Sequence, residues 1–216
     1  MRSYQRSVGQ DFLLNVSQSS VSRCIREVAS IMDKYLLTRY IKFPSTVEEK
    51  QAVKEKFYQE FRFPGVIGAI DGSHIKLKTP SKDIEHVYVF RKGGHSINVQ
   101  VVCDMDLRIL DCDARFGGTA HDASVWIASA LKVFLDNMYS NGERNFWLLG
   151  DSGYPQLPYL MTPIPGNNLS DSEHNYNRHH RKAKNCVERC FGVLKSRFRC
   201  LSKDRVLIYD QVLAGK

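Results

Sequence analysis

Two apolar runs in this chain end in the same way. Val66-Ile67-Gly68-Ala69-Ile70 leads into Asp71, and Phe146-Trp147-Leu148-Leu149-Gly150 leads into Asp151. Both runs read as buried strands. A carboxylate there is costly to desolvate unless something pairs with it. Open α/β sheets gather their ligands at the carboxyl ends of strands, so both aspartates stand where a charge is wanted. If the two strands are neighbours, the carboxylates lie side by side and repel. A divalent cation is the natural compensation, and Mg²⁺ favours carboxylate oxygens and water.

The elements around these strands define a mixed α/β architecture. Val66–Asp71 is the first strand, and His74–Lys78 continues it past an expected kink at Gly72. Ile97, Val99, Val101 and Cys103 alternate, "DMDL" turns the chain, and Ile109 to Phe116 returns, which predicts a hairpin. "HDASVWIASALKVFLDNM" predicts one helix capped near Asp122. After the strand that delivers Asp151 comes a proline-rich loop, and a last helix is expected from about Asn177 to Phe198. Three strands in meander followed by helix, strand and helix predict a mixed sheet flanked by helices.

Residues 1–64 read as a helical region ahead of the main domain, which spans 65–216. Val21, Ile25, Val28, Ile31, Met32 and Leu36 recur at helical spacing, with Ser17 as a fair N-cap. The opposite face offers Ser19, Ser22, Arg23 and Arg26, so two helices over 9–37 resemble a helix-turn-helix. A packing helix with a polar outside is the plainer reading of the same pattern. Residues 40–64 form a connector with a short helix from Val47 to Phe61, ending at Pro64-Gly65.

The 216 residues carry a net charge of +8, and its placement matters more than its size. Residues 61–150 hold ten charges of each sign, whereas 178–205 hold ten basic residues against Glu188 and Asp204. Such a block marks a polyanion partner, or else a solvated helix face. On the last helix Ala183, Val187, Cys190, Phe191, Leu194 and Phe198 form an apolar face at 100° per residue. Glu188 lies on its flank among Arg181, Lys184, Lys195 and Arg199. That places a candidate metal-binding glutamate inside a basic stripe suited to a phosphate backbone. A surface Lys184–Glu188 pair at i,i+4 contributes only about 0.2–0.5 kcal/mol, so it explains little.

Other classes fit less well. No apolar run reaches the ~18 residues of a membrane span, and residues 1–7 lack the apolar core of a signal peptide, so an intracellular soluble protein is expected. The six cysteines include no C-x-x-C pair and read as reduced, buried thiols. Cys186 and Cys190 beside His179 and His180 match no standard zinc spacing. His74 and His121 fit structural roles as well as a place near the site, and Arg91-Lys92-Gly93-Gly94-His95 reads as a basic loop able to touch phosphate.

Asp71, Asp151 and Glu188, in this order, resemble the acidic triad of DDE transposases. The words "GAIDGSH", "RKGGHSINVQVVCD", "HDASVW", "LLGDSGYP", "MTP", "YN" and "VERCFGVLKSRFRCL" make the chain similar to the PIF/Harbinger transposase family over residues 9–202. The resemblance implies a ribonuclease H-like nuclease domain over 65–216, with a helix-turn-helix-like DNA-binding region before it. It implies hydrolysis of DNA phosphodiesters by two divalent ions, Mg²⁺ or Mn²⁺, on Asp71, Asp151 and Glu188. Asp122 matches a further acidic position, an expected fourth metal ligand. A Myb-like accessory protein and nuclear location, with the cytoplasm second, are also implied. Relative to the family the sequence opens close to the helix-turn-helix and closes at "DQVLAGK" before a further helix. The alternative is a DNA-binding protein that keeps the fold and no longer cuts. A metabolic hydrolase with a carboxylate–metal site leaves the basic segment unexplained.

Overall fold

Strands form where β-branched and apolar residues alternate or run together. The computed structural model describes residues 8, 11, 15–209, 214 and 215. Its strands are β1 (Val66–Leu77), β2 (His95–Cys103), β3 (Ile109–Gly117), β4 (Trp147–Leu149) and β5 (Leu160–Met161). They form one sheet in the order β3-β2-β1-β4-β5. β1, β2 and β3 are the expected antiparallel meander, while β4 pairs parallel to β1 and β5 parallel to β4. With helices on both faces, this is a ribonuclease H-like α/β fold.

The expected kink at Gly72 is absent. β1 runs unbroken and stays paired with β2 from Ala69 to Leu77. On its other side β1 pairs with β4 only as far as Ala69↔Leu149. Beyond that rung this edge of β1 is unpaired until Leu77 bridges Leu207, and Asp71 stands where β4 stops.

One face of the sheet is covered by α2 (Val47–Phe61) and α5 (Asp171–Arg197). Phe57, Val66, Ala69, Val101, Ala183 and Val187 meet there in one buried cluster. α2 starts where expected because Thr46 and Glu49 form a capping box. After it, Gly65 adopts φ +75°, and a Cβ there would stand 2.5 Å from the Trp147 ring, so only glycine fits this turn. α5 begins six residues earlier than apolar periodicity indicates, on a capping box between Ser170 and Glu173. Its first turns are polar all round and give periodicity nothing to register. It ends at Arg197, and Phe198 lies 55% exposed, off the apolar face assigned to it.

The opposite face is covered by α3 (Asp122–Ile127) and α4 (Ala130–Ser140), where one helix was expected. Ser129 breaks it: its hydroxyl donates to the Trp126 carbonyl and accepts from the Lys132 amide, capping α4. Ile67, Ile70, Trp126, Leu135, Leu148 and Leu160 fill this side of the core.

Before α2, Ser17 caps α1 (Gln18–Met32) by accepting from the Ser20 amide. Of the apolar stripe on α1, Val21 is buried, while Val28, Ile31 and Met32 are more than half exposed. The first helix of the expected helix-turn-helix falls largely on residues 9, 10 and 12–14, outside the described residues. No helix among the described residues is long and apolar enough to cross a membrane.

Candidate active site

β4 ends beside the middle of the longer β1, so the end of one strand meets the interior of the other. Asp71 and Asp151 each lie two residues beyond the Ala69↔Leu149 rung. Asp122, the first residue of α3, joins them from the other side of the sheet. One carboxylate oxygen from each of Asp71, Asp122 and Asp151 lies within 4.8 Å of the others. Among the described residues this is the one group of three with metal-ligand geometry.

Local hydrogen bonds orient each member. The Gly72 amide donates to Asp71 Oδ1 at 3.0 Å, and the Gly153 amide to Asp151 Oδ1 at 2.8 Å. The second contact is an Asx-type turn that folds "DSGY" back beside the strand end. His121, not Asp122, occupies the N-cap position of α3. The Asp122 carboxylate is therefore released from capping and accepts from Asn98 Nδ2 at 2.8 Å.

The electrostatics show a site short of positive charge. Burial raises the Asp71 carboxyl above the usual carboxylate range, Lys184 opposes the rise, and Asp151 adds to it. Tyr154, buried beneath the group, has its hydroxyl pushed up by burial and then by Asp122, Asp71 and Asp151, so it stays a donor. Among the described residues the cation in ion-pair contact with the group is Lys184, 3.3 Å from Asp71 Oδ2. Three carboxylates within reach of one another and one ammonium to offset them suit a divalent cation with oxygen ligands.

Glu188 stands apart from this group. Its side chain is 59% exposed, and Oε1 lies 3.6 Å from Lys184 Nζ, so it joins Asp71 only through that lysine. Lys184 is itself buried and faces the carboxylates, away from the outer basic stripe. Lys195 is half-buried and donates to Ser73 Oγ at 2.6 Å. Arg181 and Arg199 are exposed, as is Arg23 on α1, and Arg26 is exposed on the same helix. His179 Nδ1 and His180 Nε2 donate to the Phe61 and Met161 carbonyls, which places both rings in structural contacts. All six cysteines are free thiols.

A cavity of about 710 Å³ opens beside the carboxylates, lined by His74, His86, Arg91, Asn98, His121, Asp122 and Asp151 among others. His74 stacks on Phe90 at 4.2 Å between ring centroids and bonds Ser96 Oγ at 3.0 Å. Burial lowers its pKa, which favours the neutral ring.

The floor of this region escapes the simple reading of alternation. Ile97, Val99 and Val101 face α5, so Ser96, Asn98 and Gln100 would be assigned to solvent. All three are at most 1% exposed. The available signal is that β2 lies inside a sheet with both faces covered, where a polar residue at every second position needs a partner. Ser96 meets His74, Asn98 meets Asp122, and Gln100 Oε1 accepts a long 3.5 Å bond from Tyr154.

A ribonuclease H-like sheet thus carries three aspartates gathered where β4 stops beside β1. The chain belongs to the DDE superfamily endonuclease family, which matches residues 70–212. It is 33% identical to human "Putative nuclease HARBI1" over 201 residues, covering 92% of this chain and 55% of that protein. The Xenopus laevis protein of the same name is 32% identical over 208 residues, 95% of this chain and 57% of that one. Arabidopsis thaliana "Protein ALP1-like" is 29% identical over 206 residues, 90% of this chain and 49% of that one. The chain thus spans about half the length of the curated relatives it matches. No solved structure matches it.

Proposed function

We propose that this chain is a metal-dependent DNA endonuclease of transposase origin. The observation that carries the reading is the meeting of Asp71, Asp122 and Asp151 within 4.8 Å at the open edge of β1. Asp71 and Asp151 are the principal ligands, Asp122 is a further one, and Glu188 is the helix-borne acid of the family's triad. When bound, Mg²⁺ or Mn²⁺ supplies a nucleophile at neutral pH and offsets charge building on the phosphate.

The chain's own residues do the rest. Asp71 and Asp151, held by the Gly72 and Gly153 amides, fix the position of the cleaved bond. Lys184 holds Asp71 and Glu188 toward each other. Arg181 on the exposed side of α5 and Arg199 just past its end, with Lys195 nearer the strand, attract the DNA backbone. On the far side of the carboxylates Arg91 lines the cavity, so a strand crossing the site meets basic groups on both sides. Arg23 and Arg26 on α1 extend the contact to flanking duplex. A Myb-like protein as DNA-binding partner and location in the nucleus complete the proposal.

A second reading has its own observation. Glu188 is exposed and paired with Lys184 outside the aspartate group, as suits a protein that binds DNA without cutting it. Supercoiled plasmid incubated with Mg²⁺ or Mn²⁺ separates the two. Nicking by wild type that Asp71→Asn, Asp151→Asn and Glu188→Gln each reduce by orders of magnitude, with DNA binding retained, supports the nuclease. Binding without nicking under either ion supports the silent protein.

A further inference from the structure

A carboxylate can hold an ion only if something fixes which oxygen it presents. Asp122 has a fixing residue in Asn98, which sits within the word "RKGGHSINVQVVCD" and to which the acidic pattern gives no role. Asn98 is 1% exposed on β2. Its Nδ2 donates to Asp122 Oδ1 at 2.8 Å and to the Ala120 carbonyl at 3.1 Å. Both acceptors lack a proton to give, so the amide group must point its nitrogen at them, and the side chain has one orientation.

The other end of that amide has nothing to accept from. Asn98 Oδ1 is buried without a hydrogen-bond partner. It faces the space left empty by Gly72: a Cβ there would stand 3.0 Å from Asn98 Oδ1 and 2.2 Å from Asp122 Oδ1. An orphan acceptor beside a carboxylate calls for a donor such as an ordered water.

The two oxygens of Asp122 are therefore unlike. Oδ1 is taken up by Asn98. Oδ2 borders the space next to Gly153, where a Cβ would stand 3.7 Å from it and 3.0 Å from Asp151 Oδ1. One oxygen is anchored to the sheet and the other is turned toward the second aspartate.

We infer that Asn98 is a positioning residue of the metal centre: it anchors Asp122 through Oδ1, so that Asp122 serves a cation through Oδ2 alone, and its own Oδ1 accepts from water around that cation. The inference rests on the metal reading proposed above. Partners that orient ligands in this way typically change metal affinity 10–100-fold when removed.

Mn²⁺ alone is the probe, titrated into the full chain without DNA and followed by calorimetry or by the electron paramagnetic resonance of free ion. Asn98→Ala is expected to weaken Mn²⁺ binding about tenfold or more. Added to Asp122→Ala, the same change is expected to cost less than about twofold, because it acts through a carboxylate already gone. Circular dichroism reports whether each variant is folded. If Asn98→Ala does not fold, Asn98→Ser takes its place, since one hydroxyl cannot serve both Ala120 and Asp122. Unchanged Mn²⁺ affinity in a folded Asn98 variant overturns the inference, as does an equal loss in the Asp122→Ala background. Wild type that binds no Mn²⁺ overturns the metal reading itself, and this inference with it.

Discussion

Lys184 Nζ stands 3.3 Å from Asp71 Oδ2 and 3.6 Å from Glu188 Oε1, so one buried ammonium ties a strand-borne carboxylate to a helix-borne one. Removing it leaves Asp71 beside Asp151 without its ion-pair partner. Lys184→Met is expected to destabilise the metal-free protein by on the order of 3 kcal/mol, read by urea unfolding in EDTA. The same change removes a positive charge from a cation site, so Mn²⁺ should bind more tightly and raise the melting temperature more than in wild type. A lysine that served DNA phosphates alone would leave Mn²⁺ affinity unaltered.

Asp111, on the edge strand β3, should make stability depend on pH. Burial, and then Asp113, push its carboxyl from the ordinary 3.8 up to about 6, against the pull of Arg115. The folded chain then holds this proton more tightly than the unfolded one, so ionisation opposes folding. The contribution of Asp111 is most favourable below about pH 4 and falls as pH rises through about 6. Asp111→Asn is expected to be more stable than wild type at pH 7 by about 1–3 kcal/mol. The two should converge near pH 4, as measured by denaturation at a series of pH values.

Two glycines should respond in opposite directions. A Cβ at Gly72 would stand 2.2 Å from Asp122 Oδ1, so Gly72→Ala must push the carboxylate off Asn98. Loss of most Mn²⁺ affinity is expected, read by titration. Gly192 lies within α5 with nothing within 4 Å of its would-be Cβ. Gly192→Ala should raise stability by about 0.5–1 kcal/mol and leave Mn²⁺ binding as it was.

The exposed arginines on α5 and just past its end should account for part of the salt dependence of DNA binding. Each neutralised phosphate contributes a slope of about 0.9 in log affinity against log salt. Arg181→Gln with Arg199→Gln is expected to lower that slope by up to about 1.8 for duplex DNA. Lys195, held on Ser73, should matter less to the slope when replaced. An unchanged slope in the double variant would make the stripe a solvated face.

The strands were legible because their residues are extreme: "VIGAI" and "FWLL" suit little but a covered sheet. Their adjacency was only a condition in the sequence, whereas the meander followed from alternation between 97 and 116. What stayed hidden depended on partners far off in sequence. Asp122 reads as a cap until Asn98, 24 residues away, is seen to take its carboxylate. Alternation divides β2 into two faces, yet cannot say that the face of Ser96, Asn98 and Gln100 is also covered. Lys184 looks like one more member of a basic stripe, since a helical wheel does not show that it points at Asp71. The break at Ser129 lay in a single hydroxyl serving both helices.

β4 is three residues long against twelve for β1, and its pairing stops two residues short of the aspartates. The spacing between Asp71 and Asp151 is thereby set by the backbone, because neighbouring strands lie roughly 4.8 Å apart whatever side chains they carry. It works as a ruler that point changes in the more distant loops leave untouched. The segment 78–94 can vary in composition while the two-carboxylate gauge stays fixed. Such a scaffold can change which nucleic acid it grips far more readily than what it does to it.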